Sequence, residues 1–284
     1  MLYLCATPIG NLEDITLRVL RVLREVDVVA AEDTRHTRKL LSHYDIGTRL
    51  VSYHEHSSPR RTEELLEILR TGGDIALVSD AGMPTLSDPG AGLVAACRAA
   101  GLPVTCCPGP SALPTALALS GFDASQAVFQ GFLPRGKAER TRRIEAMRTE
   151  ARTTVIYESP RRLRATLGEL ALILEGRNIA VMTELTKLHE SCVLGDIQDI
   201  AAIFKDKEAR GEVVIVLEGI GMREAARLHK EAAQAEFEGI PIPAHVGGYT
   251  SRGMDKMQAI KAVAKDRGLP KSVVYNAMKE AVYE

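Results

Sequence analysis

At 284 residues, with 45% hydrophobic and 26% charged residues and a formal net charge of −1, the chain has an ordinary globular composition and length enough for two cores. No apolar run approaches the ~18 residues of a membrane span, and the opening Met1-Leu-Tyr-Leu-Cys5 has no basic segment ahead of it, so neither a membrane helix nor a signal peptide is expected. The five cysteines (Cys5, Cys97, Cys106, Cys107 and Cys192) show no C-x-x-C spacing, which argues for reduced thiols in the cytoplasm and against a zinc site.

Short apolar runs at 2–6, 26–31, 50–53, 75–78 and 104–107 read as strands. Helices are expected between them, over 14–24, from the polar cluster Glu32–Arg38, from Ser58-Pro59 to the Gly72-Gly73 stop, over 91–100 and over 111–120. Gly121-Phe122-Asp123 marks a boundary, after which the pattern restarts with strands at 127–131, 153–158, 179–184 and 212–218 and helices at 137–150, 161–174 and 196–205. Such alternation predicts an α/β protein with mostly parallel sheets. Three segments are expected: α/β domains over 1–121 and 122–220, and a helical tail over 221–284. In the tail, 222–238 reads as a charged helix, 239–253 as a linker, and 255–267 with 270–283 as two helices. That last pair is either a nucleic-acid module or a packing hairpin.

The stretch Leu77–Gly90 organises the rest: a buried strand breaks into Asp80, Gly82, Pro84, Asp88, Pro89 and Gly90 and resumes as a helix. Asp88-Pro89 looks like a helix N-cap with proline in the first turn, which leaves Asp80 without a capping role. Similar punctuation at Thr7–Asn11, Pro108–Ser111 and Tyr157–Pro160 makes four loops at strand ends, where α/β proteins bind small molecules. Gly90-Ala-Gly92-Leu-Val-Ala95 imitates a dinucleotide fingerprint but lies too far from its strand, and no Walker A sequence is present. His54 and His56 flank Glu55 without a third ligand at metal-site spacing, so no metal is expected.

Charge is unevenly spread. Between Arg135 and Arg164 ten Lys or Arg residues face four Glu, and nine of the ten are arginine, the side chain suited to bidentate phosphate contacts. Arg135, Lys137, Arg140, Arg142 and Arg143, with Arg35, Arg38, Lys39, Arg60 and Arg61, therefore form a candidate RNA-binding face; the bland alternative is a solvated helix surface. Glu32-Asp33-Thr34-Arg35-His36 reads as a catalytic cluster, as a capping network through Asp33 or Thr34, or as both. Lys187 either pairs with Glu184 or meets substrate.

Seven motifs occur in order: Thr7-Pro-Ile-Gly-Asn-Leu12, Glu32-Asp-Thr-Arg-His-Thr37, Val78-Ser-Asp-Ala-Gly82 with Ser87-Asp-Pro-Gly90, Pro108-Gly-Pro-Ser111, Gly131-Phe-Leu-Pro134, Tyr157-Glu-Ser-Pro160 and Glu184-Leu-Thr-Lys187. Over residues 2 to about 219 the chain closely resembles the ribosomal RNA small subunit methyltransferase I family, the 16S rRNA cytidine 2′-O-methyltransferases of the tetrapyrrole (corrin/porphyrin) methylase superfamily. It departs from that pattern at Met83, Ser57 and Arg161, where threonine, asparagine and histidine are usual. The resemblance implies a two-domain α/β methylase fold with a cleft for S-adenosylmethionine. It further implies a homodimer and, as substrate, 16S rRNA or the assembled small subunit. It also implies cofactor contacts at Pro8, Asp80, Ala81, Gly82, Pro108, Ser111, Phe132, Leu133, Tyr157, Leu185 and Thr186. Glu32, Asp33 and Lys187 are the candidates for handling the hydroxyl proton, and Arg35 for holding a nearby phosphate. A small-molecule methylase of the same superfamily, or a non-catalytic cofactor-dependent RNA-binding protein, are the alternatives.

Overall fold

The computed structural model describes residues 1–54, 57–206, 209, 211–237 and 239–280. They form two compact units, one of Met1–Glu145 with Thr153–Glu218 and one of Ala146–Arg152 with Gly219–Glu284.

The first unit begins with five βα repeats: β1 (Leu2–Cys5), α1 (Leu17–Glu25), β2 (Val28–Ala31), α2 (Thr34–His43), β3 (Leu50–Ser52), α3 (Pro59–Arg70), β4 (Ile75–Val78), α4 (Ala91–Ala99), β5 (Val104–Cys107) and α5 (Ala112–Ser120). The five strands make a wholly parallel sheet in the order β3-β2-β4-β1-β5. Burial on both faces explains why these strands read as apolar runs without alternation. Val29, Ala31, Ala76 and Val78 point to the face covered by α1 and α2. Val28, Ala30, Ile75 and Leu77 point to the face covered by α3 and α4. The chain leaves neighbouring β1 and β4 in opposite directions, toward β2 and toward β5, so their carboxyl ends open a switch-point crevice.

The second sheet is mixed, which corrects the expectation of mostly parallel pairing. Its elements are β6 (Ala127–Phe132), α6 (Lys137–Ala146), β7 (Thr153–Glu158), α7 (Pro160–Ile173), β8 (Asn178–Thr183), β9 (Ser191–Asp196), α8 (Ile197–Asp206) and β10 (Val213–Leu217). The order is β6-β7-β10-β8-β9; only β6 and β7 are parallel, and β10 runs antiparallel between β7 and β8. β9 was missed in the sequence because Cys192, Val193 and Leu194 sit on an edge among polar neighbours and alternate only weakly. α5 crosses to this sheet, where Ala116 packs with Val155, Met182, Val214 and Val216. Ile9 and Ala81, from the loops after β1 and β4, enter the same cluster. The crevice loops of the first sheet thus rest on the core of the second.

The second unit carries α9 (Met222–Glu236), α10 (Ile242–Thr250), α11 (Lys256–Asp266) and α12 (Lys271–Glu280). The helix α10 replaces the expected linker. Pro241 caps it and Pro243 falls in the first turn, where a missing N–H costs nothing. Its glycines are tolerated because Val246 packs with Ile260, Val263 and Val274.

His245 stacks on Phe237 at 4.2 Å and on Tyr249 at 5.6 Å, and its Nδ1 accepts from Arg267 Nε at 3.1 Å. Burial, then the Arg267 charge, pushes its pKa below the ordinary value, with Asp266 opposing. The unfolded chain therefore binds the extra proton first, and this unit loses stability as pH falls below ~6.5. Hydrogen exchange of the α10 and α11 amides, corrected for intrinsic rate, is expected to be faster at about pH 5.5 than at about pH 7.5. The difference should disappear in His245→Phe.

Candidate functional site

The crevice is built by backbone. The N–H groups of Thr7 and Gly82 each donate to the other's carbonyl at 2.9 Å, and the buried Thr7 hydroxyl donates to the Ser79 carbonyl at 3.1 Å. Gly82 holds φ +81° at this contact, a conformation that favours glycine. Asp80 Oδ1 accepts the Asp33 N–H at 3.1 Å, which ties the start of α2 to the loop after β4. At its far end Tyr44 donates its hydroxyl to the Leu12 carbonyl at 2.6 Å. From the second sheet comes the loop 184–187. A Cβ on Gly10 would lie 2.5 Å from Lys187 Cγ and 2.7 Å from the Leu185 carbonyl, so the two loops meet at glycine contact distance.

Beside this junction lies a cavity of about 310 Å³, within the range of small-ligand sites. Ile9, Met83, Leu86, Ala112, Phe132 and Tyr157 supply its apolar and aromatic walls. Asp80, Asp88 and Glu212 supply carboxylates, while the Glu158 carboxylate is sealed behind the wall and paired with Arg162 at 3.4 Å, and no Lys or Arg lines the cavity among the described residues. Phe132 stays 54% exposed at the rim, aimed there by a bulge between Phe129 and Gly131. Tyr157 packs edge-on against Phe129 and Phe132; burial, reinforced by Asp88 and Glu212, pushes its phenol up to about 12. Glu158 is nearly sealed, accepting from the Ser159 N–H at 2.8 Å and the Thr166 hydroxyl at 2.7 Å. Burial first, then the charges of Glu32, Asp80 and Glu212, pushes the Asp88 carboxyl up to about 7, against a hydrogen bond from Ser79. S-adenosylmethionine fits these residues: aromatic and apolar surface suits the nucleoside, and clustered carboxylates suit a sulfonium and an ammonium. The Thr186 hydroxyl, buried without a hydrogen-bond partner among the described residues, lies against Gly10 and not in the cavity lining.

Of the expected cofactor positions, Asp80, Ala81, Gly82, Ser111, Phe132 and Tyr157 line this cavity. Pro8 lies with Asp80 in a neighbouring one. Leu133 and Leu185 are buried side chains, so any ligand contact there belongs to their backbone, and Pro108 stays exposed outside the lining. Asp88 was read as a cap, but α4 begins at Ala91 after Gly90 with no side-chain cap. A Cβ at Gly90 would fall 2.6 Å from Leu77 Cδ2, so the helix start is set by packing and Asp88 is left to face the cavity. Glu158, Glu212, Met83 and Leu86 were also missed; the run of polar groups ending β7 was the one available signal.

Asp33 caps α2, accepting from the Arg35 N–H at 2.8 Å and pairing with the Arg35 guanidinium at 3.0 Å, which holds its carboxyl down to about 2. Lys187 pairs with Glu184 at 2.9 Å. Glu32 is half-buried at the end of β2 and its charge is felt at Asp88. Among the expected RNA contacts, Arg60 and Arg61 pair with Glu64 at 3.1 and 2.8 Å. Arg140 leaves the expected surface stripe. Its guanidinium, 14% exposed, grips Glu169 and the Arg135 carbonyl and braces the turn before α6. Arg143 donates to Gln130 Oε1, while Arg38, Arg135, Lys137 and Arg142 stand exposed. Glu55 and His56 of the histidine pair lie outside the described residues.

Two outcomes test this geometry. Gly10→Ala is expected to drive the two loops apart, costing about 1–3 kcal/mol in chemical denaturation and at least tenfold in calorimetric affinity for S-adenosylmethionine. Asp88 holds an extra proton in the folded state between about pH 4 and 7, so stability falls as pH rises through that window. Asp88→Asn should therefore raise the Tm at about pH 8 while weakening S-adenosylmethionine binding, which in the wild type strengthens as pH rises through about 7.

Residues 1–201 match the family model of the Tetrapyrrole (Corrin/Porphyrin) Methylases. The chain is 43% identical to the ribosomal RNA small subunit methyltransferase I of Halalkalibacterium halodurans, over 97% of this chain and 93% of that one. It is equally similar, at 43%, to the protein of that name from Bacillus subtilis, over 98% and 93%. The fold is shared with a cobalt precorrin-4 methyltransferase (TM-score 0.58, 17% identity, 76% of this chain and 94% of that one). It is shared too with the uroporphyrin-III C-methyltransferase of Thermus thermophilus solved with S-adenosylhomocysteine (TM-score 0.54, 21% identity, 80% and 99%). With its glycine-set crevice and acidic cavity in place, the chain belongs to the tetrapyrrole (corrin/porphyrin) methylase family and, within it, to the S-adenosylmethionine-dependent small subunit ribosomal RNA methyltransferases I.

Proposed function

We propose that this protein transfers a methyl group from S-adenosylmethionine to the 2′-oxygen of a cytidine ribose in 16S rRNA, free or in the assembled small subunit. In this reading it acts in the cytoplasm as a homodimer. The observation that carries the reading is the carboxylate-lined, aromatic-walled cavity at the β1/β4 crevice, which suits a cationic methyl donor and has no group for activating a phosphate or a hydride. The ribosomal RNA named for the relatives supports the substrate, as do the exposed Arg38, Arg135, Lys137 and Arg142. No helix among the described residues is long and apolar enough to cross a membrane. Leu188 (93% exposed), in the turn before edge strand β9, and Leu194 on that strand offer apolar surface that a second copy would cover.

Bound S-adenosylmethionine supplies a methyl carbon on a positively charged sulfur; the ribose oxygen bonds to that carbon, the carbon–sulfur electron pair returns to sulfur, and the hydroxyl proton leaves to a base or water. The protein's share is alignment and the fate of that proton. Asp33, held near 2, is a poor base, and its role in this reading is to fix α2 against Asp80. Glu32 is assigned as the proton acceptor, because it ends β2 beside the acidic cavity. Lys187, held by Glu184 against the Gly10 loop, is assigned to steady the developing oxygen charge.

The test uses labelled S-adenosylmethionine with small-subunit RNA and with the subunit itself, followed by nuclease mapping of the product. Label is expected at a ribose-methylated cytidine. Glu32→Gln should lose about 10²–10⁴ in kcat with donor affinity kept, while Asp33→Asn, which still caps a helix, should stay within several-fold. Label on a base, or on a tetrapyrrole and not on RNA, would reject the reading.

A further inference from the structure

A second cavity of about 260 Å³ opens on the other side of Asp80, and Asp80 lines both. Its chemistry is reversed. The remaining lining is Thr7, Pro8 and Leu12 from the loop after β1, with His36, Lys39, Leu40 and His43 from α2. The spacing 36, 39, 40 and 43 places those four on one face of the helix. Where the donor cavity presents three carboxylates and no Lys or Arg among the described residues, this one presents an ammonium and two imidazoles against one carboxylate.

Lys39 differs from several cations near the site. Arg35, Arg60, Arg61 and Arg140 are each neutralised by a carboxylate, whereas Lys39, His36 and His43 have no ion-pair partner among the described residues. The walls are also held in place. The first turn of α2 is tied to Asp80 through the Asp33 N–H, its C-terminal end is tied to Leu12 through Tyr44, and Thr7 is bonded to Gly82 and Ser79. A cation-bearing face, clamped at both ends beside an apolar patch of Pro8, Leu12 and Leu40, suits a nucleotide: charge for a phosphate and apolar surface for a base or ribose.

We propose that this cavity is the acceptor subsite. It holds a phosphodiester of the RNA strand next to the target nucleotide on Lys39, His36 and His43, with the target ribose turned toward Asp80 and the donor cavity. The inference rests on the RNA-methylating reading above and adds to it where the strand lies. Asp80 marks the boundary, with carboxylates beside it toward the donor and the Lys39 ammonium and two imidazoles beside it toward the acceptor. That polarity orients a strand whose phosphate is repelled from one cavity and attracted to the other.

The experiment measures methyl transfer to small-subunit RNA and calorimetric S-adenosylmethionine affinity on the full chain, for Lys39→Glu, Lys39→Arg, His43→Ala and Arg98→Glu. The last makes the same charge change as Lys39→Glu on α4, across the sheet from α2. Lys39→Glu is expected to raise KM for RNA at least tenfold and reduce the salt slope of RNA binding by about one contact, with donor affinity unchanged within about twofold. His43→Ala should raise KM several-fold, and Lys39→Arg should retain most of the wild-type value. Cytidine monophosphate and inorganic phosphate are added as competitors, to separate a strand phosphate from a free one. Competition by either that is lost in Lys39→Glu, together with the raised KM for RNA, supports the subsite. Lys39-dependent binding of the small phosphates without any change in RNA KM overturns it, as does an equal effect of Arg98→Glu, which would mean steering by net charge alone. Wild-type transfer to RNA with normal KM and salt slope in Lys39→Glu and His43→Ala rejects the subsite and leaves the reaction standing. Absence of wild-type transfer to RNA rejects the underlying reading.

Discussion

The paired hydrogen bonds between Thr7 and Gly82 are the constraint on which the site depends. They join the loops after β1 and β4 where the chain leaves neighbouring strands in opposite directions, and so hold the crevice open at a defined width. The same loops send Ile9 and Ala81 into the core formed by α5 and the second sheet. Burial of these two side chains couples the stability of the crevice to the packing of a sheet that begins only at Ala127. Gly10 and Gly82 carry the geometric load: one allows backbone to approach the 185–187 loop, the other holds a left-handed turn at the bridge.

Charge is partitioned around that junction. Asp80, Asp88 and Glu212 concentrate negative charge in a half-buried pocket, with Glu32 near, so that one of them, Asp88, gives up its charge near neutral pH when no cation is present. The arrangement costs stability in the empty protein and favours a cationic ligand, the exchange expected of a binding site. A few ångströms of loop away, α2 turns Lys39 and two histidines to the opposite wall. The Asp33 N–H, bonded to Asp80, and the Tyr44 hydroxyl, bonded to Leu12, hold that helix still.

Much of this was legible in local pattern. The first sheet's strands lie where the apolar runs put them, since a parallel strand buried on both faces needs little beyond its own residues to be recognised. Asp80-Ala-Gly82 and Ser111 line one cavity with Phe132 and Tyr157, and Thr7-Pro8 lines the neighbouring one that Asp80 shares, because strand-end loops of the first sheet open on one edge and there meet the second sheet. Other assignments failed for physical reasons. Arg140 looks like its surface neighbours in sequence, but Glu169, twenty-nine residues on, folds against it. Asp88-Pro89 imitates a cap, but Gly90 must clear Leu77 before the helix can start. The stretch 239–253 reads as a linker by its glycines and prolines, yet α10 forms there once Val246 and Tyr249 have α11 to pack on.

By itself, then, the sequence determined the βα alternation of the first sheet, the helix start at Ser58-Pro59, and the loops rich in glycine and proline, because each is settled by residues within a few positions of one another. Tertiary structure alone decided that β10 inserts antiparallel between β7 and β8, that Glu212 thereby joins Asp80 and Asp88 around one cavity, and that Lys39 has no ionic partner among the described residues while Arg60, Arg61 and Arg140 do. Those outcomes depend on which distant segments share space. Their energies, carboxylate against carboxylate or guanidinium against glutamate, exist only at the separations that folding sets.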